Sequence, residues 1–313
     1  MRPGEHPEER RARARRRARL LLFASAGLFG LSASLAKLAA ERGMGGGPLT
    51  LVRFSLGLTF VATLFRLRPG TFRPVRRWLL VSRGLFGGAS ALLYFLAIAR
   101  IPAGEATLLN NTFPIWAVLL SFLVLDERPT LHLALALAVA SAGVYLVLGG
   151  GALAFGLGVG ALLGLASGVL GGVAVTSIRA LRGTDNAPTI FFAFSVGGFL
   201  LSLPFAAGPW PATPWGWAAA LGVGVASFLA QLSMTEAYGA LSVAEAALWH
   251  QLTPIASYLW ALGVNGERVG WATAVGVLLG VAGIFYGSVL GHAPREARSP
   301  EAALAAGLPA EEP

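Results

Sequence analysis

The sequence contains no cysteine and little charge, and both shortages narrow what it can be. Without cysteine there is no disulfide, no thiolate metal site and no thiol nucleophile. Asp, Glu, Lys and Arg make up 12% of the 313 residues, against roughly 25% in a soluble domain, which excludes a soluble globular fold. Histidine is scarce too: of four, only His250 lies deep in an apolar run, with His132 near the edge of one and His6 and His292 in polar ends. Neither an HExxH zinc signature nor a phosphate-cradling GxxxxGK[ST] loop occurs, so no cofactor, no metal and no enzyme chemistry of those kinds is expected. What is abundant is apolar surface, 55% of the residues at a mean hydropathy of +0.68.

The basic excess is local. Eight of the 24 Lys and Arg residues lie between Arg2 and Arg19, directly before an apolar run. An arginine block in that position is a topology signal drawn to the anionic cytoplasmic leaflet, and no nucleic-acid partner is expected from it. Residues 1–19 lack an apolar period and read as a disordered cytoplasmic tail, as does the Ala-, Pro- and Glu-rich stretch 291–313.

Between the tails run ten apolar stretches, each near the ~20 residues that cross ~30 Å of hydrocarbon. They fall at about 20–40, 48–66, 77–99, 103–125, 130–148, 156–178, 188–207, 214–238, 243–264 and 269–290. The first, with Ser-Ala-Ser at 32–34, could be misread as a cleaved leader. Its length, and the likeness of Ser25–Lys37 to Ser167–Arg179 at an offset of 142, make it a retained helix.

The repeat is clearest elsewhere. EATLLNNTFPIWAVLLSFLVLDER from Glu105 aligns without a gap on EAALWHQLTPIASYLWALGVNGER from Glu245, at a constant offset of 140. Glu-Ala, Pro-Ile and Glu-Arg fall in register at 105 and 245, 114 and 254, and 127 and 267, and Ala142-Gly143 meets Ala282-Gly283. The predicted organisation is therefore an all-α polytopic protein of ten transmembrane helices. A first five-helix unit spans 20–148, a Gly-rich linker 149–155, and a second five-helix unit 156–290.

Charge sets the orientation. With the N-terminus inside, the cytoplasmic segments carry the arginine tail, Arg66, Arg68, Arg73, Arg76, Arg77, Arg128, Arg179, Arg182, Arg295 and Arg298; the outer ones carry only Arg42, Arg100 and Arg268. Both termini are then cytoplasmic, in an inner-membrane protein of bacterial type. A unit with an odd number of spans inserts upside down when repeated, so the halves are expected to form an inverted repeat. Glycines at 156, 160, 164, 168 and 172, and at 276, 280, 283, 287 and 291, line helix faces where backbones can approach closely. They serve packing within the bundle or the face of a homodimer, the first being the simpler reading.

The two Pro-Ile helices ending in Glu-Arg, the Gly-bearing fifth helices, Lys37, Arg53 and the phrase YFLAIARIPAGEATLL at 94–109 together resemble the EamA-type branch of the drug/metabolite transporter superfamily. The resemblance covers all ten spans. It implies a secondary-active carrier, commonly an exporter, of a small metabolite, amino acid or drug, with a central cavity and with spans five and ten at the periphery. The second half has Ala193 or a neighbour where Arg53 stands in the first, a departure from symmetry. The alternatives are an importer or exchanger of a larger conjugate and, in another class, an intramembrane enzyme or lipid-handling protein.

Pro114 and Pro254 read as mid-helix prolines, which free the carbonyl four residues back, those of Asn110 and His250. Asn110, Asn111, His250 and Gln251 therefore read either as hydrogen-bonding groups for substrate at the midplane or as ties between helices; adjacent residues point ~100° apart, so not all four face one cavity. His250 could carry a coupling proton or sit as a neutral hydrogen-bonded ring. Glu105 and Glu245 begin helices, where the dipole favours a carboxylate, and Glu127-Arg128 and Glu267-Arg268 are gate or cap pairs at helix ends. Arg53 and Arg83 either snorkel or hold an anionic group of the substrate. Tyr94, Trp116, Trp249, Tyr258 and Trp260 lie in spans that the resemblance sets near the cavity.

Overall fold

An apolar chain in lipid must satisfy its backbone groups within each segment, and helix does so locally. The computed structural model describes residues 7–98, 100, 109–147, 158–265 and 270–290, and the regular structure among them is helical throughout. In chain order the helices are α1 (Pro7–Glu41), α2 (Gly46–Leu67), α3 (Arg77–Ile98), α4 (Phe113–Leu125), α5 (Leu131–Val147), α6 (Val159–Leu181), α7 (Ala187–Ser202), α8 (Pro214–Ala237), α9 (Val243–His250), α10 (Leu252–Asn265) and α11 (Trp271–Leu290). Seven (α1, α2, α3, α6, α7 with the short turn that follows it, α8 and α11) are long and apolar enough to cross a membrane, and α4 and α5 are shorter apolar helices. Leu119, Leu123, Leu278 and Phe285 stand exposed on the outside, an apolar coat that suits lipid.

Two expectations need correction. The arginine-rich stretch is not disordered from Pro7 onward: α1 begins there and carries the arginines into the first span without a break. Ala and Arg are strong helix formers, and Glu8 and Glu9 in the first turn oppose the dipole. Nor are the prolines mid-helix. Pro114 sits in the first turn of α4 after a turn at Asn111-Thr112, and Pro254 in the first turn of α10 after a turn at Gln251. A proline has no N–H to lose in a first turn, so there it starts a second helix instead of kinking one. The linker 149–155 and the tail 291–313 lie outside the described residues.

Small residues set the packing. A Cβ on Gly143 of α5 would meet Gly276 O at 2.6 Å and also Gly280 N; one on Gly283 of α11 would meet Ala136 O at 2.9 Å and Ala140 N at 2.8 Å. Shifted by 140, each list becomes the other. The partners descend along α11 as they rise along α5, from His132 beside Tyr286 to Gly143 against Gly276, so the helices are antiparallel. The same exchange recurs twice. Gly30 of α1 packs on Ala256 and Ser257 of α10, while Gly172 of α6 packs on Trp116 and Ala117 of α4. Ser25 Oγ donates to Ala230 O at 2.8 Å between α1 and α8, and Ser90 Oγ donates to Ser167 O at 2.8 Å between α3 and α6.

Candidate functional site

The paired helix breaks each bring polar side chains into the bundle. Before α4, Asn110 Nδ2 donates to Ser167 Oγ of α6 at 3.0 Å, and Gly168 leaves room for Leu109 O and Asn110 O to lie against α6. Asn111 Nδ2 is buried without a described partner. At the second break, Gln251 Nε2 donates to Ser141 Oγ of α5 at 2.8 Å, leaving its Oε1 unpaired. His250 packs between the rings of Phe29 and Phe113, at 5.8 and 5.0 Å. Its Nε2 lies 2.9 Å from Met234 Sδ and its Nδ1 3.2 Å from Thr253 Oγ1. A neutral ring with its proton on Nε2 fits both contacts, donating to sulfur and accepting from the hydroxyl. Trp249 lies beside it with a buried, unpartnered indole N–H. Pro114 and Pro254 are both buried, so the breaks face the interior.

A second group forms across α2, α3 and α7. Phe54 and Phe194, which correspond at the offset of 140, meet edge to face at 5.1 Å. Arg53 lies over Phe54, 5.6 Å from its centroid, and Arg83 over Phe194 at 4.1 Å. The expectation that both arginines could snorkel fails for Arg83, which is 3% exposed with Nε unpaired. The ring of Tyr94 lies tilted against Phe95, centroids 5.4 Å apart. A hollow of about 10 Å³ lies against Arg53, Phe54, Phe191, Phe194, Ser227 and Phe228, too narrow for a substrate.

The larger hollow, about 160 Å³, lies at the arginine-rich end between Arg15, Glu127, Arg128, Thr130, Ser242 and Glu245. Here the end of the first repeated segment meets the start of the second: Glu127 Oε2 accepts from Val243 N–H at 2.8 Å, and its Oε1 from Arg179 Nε at 2.7 Å. The left-handed residue Asp126 (φ 52°) ends α4 and turns Glu127 toward α9. Arg128 is not the partner of Glu127; it points outward, 3.8 Å from Asp126, with both side chains exposed. Ser242 Oγ accepts from Glu245 N–H and caps α9, while the buried Glu245 carboxylate accepts from Arg19 at 2.9 Å and Arg15 at 3.5 Å. Glu105, Glu267 and Arg268 lie outside the described residues. Lys37 is exposed, and Trp260 is 42% exposed and donates to Gly27 O, so neither faces the interior; Trp116 Nε1 donates to Thr112 Oγ1.

Sequence reasoning passed over the rest of this end. Asp185 is buried and accepts from Val75 N–H and Arg76 N–H at 2.8 and 3.3 Å, tying the α2–α3 connection to the turn between α6 and α7. Arg182 donates to Glu236 Oε2 at 3.1 Å, and Arg179 also reaches Tyr238 O. Arg179 and Arg182 entered only as topology charges; the Asp-Asn pair before Ala187-Pro188 was the available signal, since Asn186 caps α7.

Apolar helices long enough to cross a bilayer, with polar groups inside the bundle and ion pairs at one end, define a multi-spanning helical membrane protein. The chain belongs to the EamA-like transporter family, within the drug/metabolite transporters, whose model matches it twice, over 16–149 and 158–288. It is 31% identical over 162 residues to the pseudopaline exporter CntI of Pseudomonas aeruginosa, covering 51% of this chain and 57% of that protein. It is also 31% identical over 124 residues to an uncharacterised transporter of Helicobacter pylori, covering 40% and 41%. The matched stretches thus span about half the length of these relatives. A solved crystal structure superposes with a TM-score of 0.74 at 21% identity, covering 90% of this chain and 98% of its own, a likeness of fold.

Proposed function

We propose that the protein is a secondary-active exporter of a small metabolite, amino acid or drug, built as ten spans in two inverted five-helix units that rock about a site at the paired helix breaks. The observation carrying this reading is the exchange of contacts between halves: Gly143 on α11 against Gly283 on α5, and Gly30 on α10 against Gly172 on α4. Contacts that swap under a shift of 140 residues, or 142 for the α1 and α6 positions, are those of a two-fold axis, and antiparallel packing of α5 and α11 supports an axis lying across the helices. The broken helices supply irregular backbone and polar side chains inside protein, where a bilayer tolerates them. In this reading the ion pairs at the arginine-rich end hold the helix ends together and part when that side opens. The relative named as an exporter favours export. Energy comes from a proton or substrate gradient, with His250 the candidate proton carrier.

Reconstituted protein should show saturable flux and counterflow, whereas an enzyme would return altered substrate. Because the chain lacks cysteine, single cysteines at positions 128 and 268 report topology directly. The first should label from the cytoplasmic side and the second from outside; labelling of both from one side would end the inverted arrangement. Transport by His250→Gln that keeps the pH profile of the parent protein would remove the proton role.

A further inference from the structure

The Arg53–Arg83 group has chemistry that the helix breaks do not share. Two guanidinium groups inside an apolar bundle should be paired with carboxylates, because an unpaired interior charge is expensive. Among the described residues neither has an ion pair, and the two repel each other. What they have is aromatic faces, Phe54 and Phe194, which compensate a cation only in part. Next to the residues that line the hollow, in sequence, by ring contact or one helical turn on, three buried groups without a described partner can donate hydrogen bonds. Arg83 Nε is one; Ser195 Oγ, one residue from Phe194 and 3.1 Å from where a Gly57 Cβ would stand, is another. Gln231 Nε2 is the third, one helical turn beyond Ser227, which lines the hollow. The symmetry of the fold isolates the charge further: Phe54 and Phe194 correspond at the offset of 140, but Arg53 corresponds to Ala193 and Arg83 to Val223.

We infer that this cluster is the oxyanion end of the substrate site, and that the transported molecule is a small organic anion whose apolar body stacks among Phe54, Phe191, Phe194 and Phe228. The inference rests on the carrier reading above and narrows its substrate class. Donors without acceptors, cations without counter-ions and aromatic walls beside them fit a carboxylate or phosphate on an apolar ring or chain; they repel an ammonium. The narrow hollow is the closed form of the site, which widens as the bundles separate.

A structural role and a binding role predict opposite results for the same substitutions. If Arg83 holds the helices together, its loss should lower the melting temperature. If it waits for a ligand, Arg83→Met should melt at or above the parent temperature, since removing an uncompensated interior charge is neutral or stabilising. The test uses the purified full-length protein with phenylacetate and phenyl phosphate as anionic probes, and phenylacetamide and phenethylamine as neutral and cationic counterparts. Intrinsic tryptophan fluorescence reads binding, and counterflow in proteoliposomes reads transport. The expected result is saturable binding of an anion at least tenfold tighter than of the amide or amine, weakened tenfold or more by Arg83→Met and by Arg53→Gln, and partly kept by Arg53→Lys. Equal binding of amide and acid, absence of anion binding, or a lowered melting temperature with unchanged anion affinity would overturn the inference. Counterflow restricted to neutral or cationic compounds would also overturn it while leaving the carrier intact. Anion binding without counterflow of any compound would keep the oxyanion site and remove the carrier.

Discussion

The two copies of the repeated helix break at the same place and are held there by different chemistry. Both carry a proline in the first turn of the segment after the break, and both lay that segment on a glycine of the partner half, Gly172 under Trp116 and Gly30 under Ala256. The residues just before the break have diverged. The first copy has Asn110 bonded to Ser167 and Asn111 without a described partner; the second has His250 on Met234 and Thr253, and Gln251 on Ser141. Backbone shape is common to the two copies, while the side chains at the break and their partners differ.

The glycine contacts offer the largest way to break the comparison. Gly30→Leu and Gly172→Leu should fail alike, because the Cβ alone would sit 2.6 Å from Ser257 N in one half and 2.9 Å from Ala117 N in the other. Overpacking costs typically ~1–3 kcal/mol, and a clash with backbone belongs at the top of that range or above it. Thermal unfolding in detergent should show two losses of similar size, and Gly27→Leu, with nothing within 4 Å of its Cβ position, should show little. A large loss in one half only would mean that the exchange of contacts is not energetic.

The arginine-rich end gives an intermediate effect. Glu127→Ala removes an acceptor from Val243 N–H and the partner of Arg179. A lost helix cap costs about 1 kcal/mol, and the partly exposed ion pair adds about 0.5. Glu245→Gln breaks pairs with Arg15 and Arg19, and although Glu245 is buried, the arginine side chains are 48% and 30% exposed. The loss is therefore discounted to about 1–2 kcal/mol. Chemical denaturation of the two variants should give destabilisations within a factor of two of each other, whereas Arg128→Ala should give none, its side chain being 80% exposed.

Much of this was legible beforehand, and the reasons are physical. Spans follow from apolar length, and the repeat from residues whose backbone role leaves no substitute: Pro114 and Pro254, Gly143 and Gly283. The break itself was misplaced because a proline is compatible with both a kink and a helix start; only the path of Asn111-Thr112 and of Gln251 decides between them. The helical start of α1 was hidden because polar composition signals solvation and says nothing against a helix that an adjoining span nucleates. The ties of Glu127 to Arg179 and Glu245 to Arg19 join residues 52 and 226 apart in sequence, a distance no local pattern reports. Arg53 and Arg83 were legible as interior charges, but the aromatic faces beneath them came only from the fold.

The smallest effect is also the sharpest comparison between the two copies. Gln251 has Ser141 to bond, while the position that corresponds to Ser141 at the offset of 140 is Val281, an apolar residue 47% exposed on the outer face of α11. Gln251→Leu should then cost about 0.6–1 kcal/mol, the usual worth of one interhelical bond in a membrane, since it leaves Ser141 without its donor. Asn111→Leu should cost nothing or stabilise slightly, because it removes a buried amide whose Nδ2 has no described partner. Thermal unfolding in detergent checks both, and a loss for Asn111→Leu as large as that for Gln251→Leu would mean that the first break is tied as firmly as the second.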